Sequence, residues 1–224
     1  MTDNRITGLA LIAGSAGVIV ALGLHPSGRD LFVPGQSESA ARKLIAVHSL
    51  ALACLPIWFF GAWGLSRRFG VLWTARAALV TYAFAMMAMM NAVVVDGLVS
   101  PGLAGEIVHA TGTAGQGWRV ALNHNSLIDQ AFMRVSLVAS SAAIVLWSAS
   151  IVRSVALARG VGIYGCILGA TTVIALLSGQ LDRYAHVFGM VIVGQAVWFL
   201  IVGASLCRDR RPATPEPGYL EARL

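Results

Sequence analysis

A chain of 224 residues that is 57% hydrophobic and only 12% charged cannot cover itself with a water-facing surface, since soluble domains carry roughly 25% charged residues. The balance is basic, with a formal net charge of +6. The arginines stand at the ends of apolar runs and not along one polar face, so the expected partner is the lipid bilayer, and no nucleic acid is expected.

Six apolar runs follow in chain order, each near the roughly 20 residues that a spanning helix needs. The first, Ile6–Leu24, follows Arg5 and has the shape of a signal peptide. His25-Pro26 and Arg29 stand after it where a small-x-small cleavage site would be, so it is read as a retained first helix. The second, Leu44–Leu65, carries His48 one turn inside. The third, Ala77–Val99, carries Asn91 and, in its last turn, Asp96. A long Gly-rich link, Ser100–Asn125, comes next with His109 and Trp118. Links of that length usually have a role. Its Leu103–Ala110 portion is expected to form a short interfacial helix, with Trp118 anchored at headgroup level.

The fourth run, Leu127–Ile151, opens just after His124, holds Asp129 in its first turns and places Arg134 about two turns in. The fifth and sixth runs are Val161–Gly179 and Ala185–Leu206, with Asp182 before the sixth and His186 at its start. The expected fold is all-α: a six-helix transmembrane bundle of three hairpins over residues 1–206, followed by a basic, disordered tail over 207–224. A faint repeat relates the first and last hairpins, through Arg5-x-x-Gly8 and Arg159-x-x-Gly162, and through His48 with Trp58-Phe59 and His186 with Trp198-Phe199. Cys54, Cys166 and Cys207 have no paired spacing and read as small buried hydrophobes.

Basic residues set the orientation. Ten lie on the side of Met1 (Arg5, Arg67, Arg68, Arg76, Arg153, Arg159, Arg208, Arg210, Arg211 and Arg223), against five opposite (Arg29, Arg42, Lys43, Arg119 and Arg183). The positive-inside rule then places both termini in the cytoplasm.

All five histidines fall on the outer side of that topology, and Asp96, Asp129 and Asp182 join them. His48 and Asp96 lie within apolar runs, where an ionisable group costs roughly 2.5–3.5 kcal/mol and turns toward a partner or cavity. Asp182 and His186 are four apart and share a helix face. The expected site has His48, Asp96 and His186 at its core, with His25, His124, Asp129 and Asp182 as further ligands. Imidazoles with a carboxylate suit Zn, Cu or Fe, and an opposed pair such as His48 and His186 would suit a haem. Arg134 needs an acid, and Asp96 is the expected partner, with Asn91 or Gln130 in support. The pair could be a structural lock, or Arg134 could clamp an anionic substrate, with Asn91 and Trp118 as further substrate-binding residues.

The segments Leu24-His25-Pro26, Ala46-Val-His48 and Asp96-Gly97-x-x-x-Pro101 resemble small bacterial multi-pass membrane proteins of unknown function. The resemblance implies a bacterial inner-membrane protein and no activity. Membrane zinc hydrolases of the ceramidase kind also gather His and Asp at one membrane face, but this chain lacks their paired-histidine motif. Three readings stay open: a metal- or haem-binding oxidoreductase or hydrolase acting on a small-molecule or lipid substrate, a small-solute transporter using an Asp96/Arg134 relay, and an accessory subunit without its own site. A homo-oligomer is compatible with each.

Overall fold

The computed structural model describes residues 3–33, 35–70, 72–154, 157–179 and 185–209, with the backbone alone for 185–187. Within them the chain is helical. Helix α1 spans Asp3–Leu24, a 3-10 turn Gly28–Phe32, α2 Ser37–Arg68, α3 Trp73–Val94, a π-helical turn Val95–Val99, α4 Ser100–His109, α5 Gly112–Arg153, α6 Arg159–Leu177 and α7 Ala185–Arg208. Six stretches are long and apolar enough to cross a membrane, counting α3, the π turn and α4 as one. This supports a multi-pass membrane protein. Asp182, Arg183 and the tail from Arg210 lie outside the described residues.

Small residues decide which helices touch. A Cβ on Gly8 of α1 would lie 2.5 Å from the Gly203 carbonyl oxygen of α7, and one on Gly14 would lie 2.8 Å from Cβ of Trp58 on α2. Helix α1 therefore beds against α2 and α7 at near-backbone distance. Helix α3 packs on α5, and α5 on α6, while α7 leans more on α1 than on its chain neighbour α6.

Behind these seams lies a core of Trp58, Tyr82, Trp147, Trp198 and Phe199, all buried. Their rings meet at centroid distances such as 5.2 Å for Tyr82–Trp147 and 4.9 Å for Trp198–Phe199. Some of the polar groups inside are paired across helices, which lowers their cost in a water-free interior. The Trp147 indole donates to Ser66 Oγ at 2.8 Å, which donates to the Ala75 carbonyl at 3.2 Å. The Gln195 amide donates to Ser141 Oγ at 2.9 Å and accepts from Ser140 Oγ at 3.0 Å. At the end of the bundle that carries the N-terminus, Arg68 pairs with Asp209, tying α2 to α7.

At the other end the helices outrun their apolar runs. Helix α5 has 42 residues, about 63 Å at 1.5 Å per residue, roughly twice a hydrocarbon core. The Ser100–Asn125 link is thus mostly helix, not loop. It includes α4, over the stretch expected to be helical, and the first turns of α5, with the break at Gly112, whose φ is 61°. A helical glycine costs about 1 kcal/mol, less than leaving backbone groups unpaired beside the bilayer. Leu31, Ala40, Leu44 and Ala104 form a small second core that fastens the 3-10 turn, the start of α2 and α4 together.

Candidate metal centre

Three pieces of this end, the exit of α1, helix α2 and the π turn, each present one polar side chain. Helix α1 stops at Leu24 because Pro26 offers no N–H to continue it, and His25 stands in the gap. His25 Nδ1 lies 2.8 Å from the Pro26 carbonyl oxygen. His48 is buried three turns into α2, with Nδ1 2.9 Å from the Leu44 carbonyl oxygen. A carbonyl only accepts, so Nδ1 carries the proton in both rings. The neutral rings therefore present a lone pair on Nε2.

Both Nε2 atoms aim at the same carboxylate oxygen. Asp96 Oδ2 lies 3.1 Å from His48 Nε2 and 3.6 Å from His25 Nε2. Asp96 sits in the π turn, whose extra residue re-aims the side chains around it. Gly97 beside it is needed for the fit, because a Cβ there would overlap the Cβ and ring of His48. The turn is held from α5, where the Asn125 amide donates to the Val95 carbonyl at 3.2 Å and to Ser100 Oγ at 2.9 Å. One donor atom from each of His25, His48 and Asp96 lies within 4.8 Å of the others. His48 closes the back of the group with its side chain 9% exposed, while Asp96 at 40% leaves the front open.

Two lone pairs facing a carboxylate oxygen repel it unless a cation lies between them. A proton can serve. The hydrogen bond to Asp96 raises the pKa of His25, against the opposing effect of its partial burial. A metal ion can serve equally, since the chemistry that fixes Nδ1–H on a carbonyl and frees Nε2 is what orients histidine ligands.

The remaining expected residues divide. Asp129 is half-buried on α5, on the side of this group. His124 and Trp118 are exposed on α5 and His109 is exposed at the end of α4; His124 and His109 stand outside the group of three. Asn91 is exposed, and its amide is spent on the Met87 carbonyl of its own helix at 2.8 Å. The ion pairs of Asp96 among the described residues are with His25 and His48, and the expected Asp96–Arg134 pair is not among them. His25 reaches Asp96 from just past α1 and His48 from α2, whereas Arg134 stands five residues beyond Asp129 on α5. The His186 side chain and Asp182 lie outside the described residues, so the histidine seen to join His48 and Asp96 is His25. Sequence reasoning assigned no role to Gly97 or Asn125, though an Asp-Gly pair inside an apolar run was a visible signal of a special backbone.

The fold and the site thus describe a multi-pass helical protein with a His/His/Asp group near one end of its bundle. Comparison with family models, curated proteins and solved structures gave no match.

Proposed function

We propose that this chain is a multi-pass protein of a bacterial inner membrane that binds a divalent transition metal through His25, His48 and Asp96 at its outward face. The observation that carries this reading is the convergence of two Nδ1-anchored imidazoles on one carboxylate oxygen. Two histidines and a carboxylate form a ligand set for zinc and also for ferrous iron, compatible with hydrolytic or redox chemistry. A haem is less well supported. The two rings meet edge to face with centroids 5.0 Å apart, and a haem needs its imidazoles opposed across a flat macrocycle. The transporter reading is less well supported, because the ion pairs of Asp96 among the described residues are with histidines. The outward direction rests on the ten-to-five basic asymmetry.

Elemental analysis of the protein purified without chelator tests the reading. One zinc or iron per chain, absent from His48→Ala, is the expected result. A wild-type chain that carries no metal and takes none up would end it.

A further inference from the structure

Three ligands leave one side of a four-coordinate ion without a protein donor, and a carboxylate on α5 lies toward that end of the site. Asp129 follows Asn125 by four residues, so the two share a helix face. Asn125 is bonded to the π turn that carries Asp96, which turns this face of α5 toward the site. The charges of Asp96, His48 and His25 act on Asp129. Its Oδ1 is shielded from solvent and has no hydrogen-bond partner among the described residues. A buried acceptor left without a donor marks a place where a water or an ion belongs.

The distances argue against a fourth ligand. The ligand atoms of His25, His48 and Asp96 lie within 4.8 Å of one another, and the Asp129 oxygens do not belong to that group. Ligands of a tetrahedral zinc, each about 2.0–2.1 Å from the ion, stand only roughly 3.3 Å apart. A water on the ion would extend the reach of the site by a bond of about 2 Å and a hydrogen bond of about 2.7 Å.

We propose, resting on the metal reading above, that Asp129 stands outside the ligand set and accepts a hydrogen bond from the water that fills the fourth coordination position. The centre is then of the open kind, with three protein ligands and a water, and not a closed structural or storage site. Asp129 Oδ1 would take the proton that the water gives up, which would leave a hydroxide on the ion and a neutral carboxylic acid, with charge and atoms conserved. A hydroxide so formed would be the nucleophile of a hydrolytic reaction at the open position.

Cobalt(II) is the probe, because its visible absorption reports both binding and exchange of the open position. The purified wild-type protein is loaded with cobalt(II) and titrated with azide, which replaces a bound water. Asp129→Asn should keep the cobalt(II) affinity to within about tenfold, since no ligand is lost. It should bind azide about tenfold more tightly or better, because a negative charge beside the anion has gone. Asp129→Ser, the second neutral variant, should behave alike. A loss of cobalt(II) affinity beyond tenfold makes Asp129 a ligand and overturns the proposal. Unchanged azide affinity also overturns it, by placing Asp129 away from the open position. If the wild-type protein binds no cobalt(II) at all, the metal reading itself has failed, and that result appears before any variant is made.

Discussion

His25 and His48 each have one ring nitrogen committed to a main-chain carbonyl, so only Nε2 meets Asp96. The hydrogen bond to Asp96 raises the pKa of His25, so without metal a proton on that ring is favoured. A histidine whose folded pKa lies above its unfolded one adds stability that is fully present below the unfolded value, about 6.5. That stability is lost as the pH rises through the folded pKa. Metal-free protein should therefore melt at lower temperature as the pH is raised from about 6 to about 8.5, and His25→Gln should flatten that part of the dependence. Zinc should act in the opposite sense, because the ligands must shed protons to bind it, so its stabilising effect grows over the same interval. Melting curves with and without zinc across this range check both signs. A wild-type dependence unchanged in His25→Gln would show that the His25–Asp96 contact does not form.

The π turn is the element on which the site depends, and it explains what could be read ahead and what could not. The apolar runs were legible because a bilayer imposes their length. Their ends were less so, since α2 starts at Ser37 and not Leu44, and α5 at Gly112 and not Leu127. Hydropathy reports contact with lipid, while a helix continues wherever its backbone bonds are satisfied. His48 and Asp96 stood out because each carries a polar group into an apolar run. His25, just past a helix end, was expected only as a further ligand outside the core of the site, and the length of α2 and the geometry of the turn bring His48 and Asp96 to it. The close approach of Gly97 to His48 makes a test at this scale. Gly97→Ala should destabilise the protein by about 1–3 kcal/mol through overpacking and should weaken zinc binding by displacing His48. Gly105→Ala, where a Cβ meets nothing within 4 Å, is the control. Denaturation and zinc titration of the pair decide, and equal behaviour of the two would show that the turn does not press on His48.

At the scale of the whole molecule, six stretches among the described residues are long and apolar enough to cross a membrane, and the His25, His48 and Asp96 group stands near one end of them. If the basic end is cytoplasmic, a reporter active only in the periplasm should be silent when fused to Leu224, and a strong signal would turn the metal group inward. The account as a whole stands on the claim that His25, His48 and Asp96 hold one ion. X-ray absorption at the zinc edge of the zinc-loaded protein addresses that claim most directly. The account predicts a first shell of nitrogen and oxygen only, at about 2.0–2.1 Å, with the outer-shell scattering of two imidazoles and no sulfur. In His48→Ala this signal should disappear with the bound zinc. A sulfur shell, a shell without imidazole, or the same spectrum in His48→Ala would contradict it.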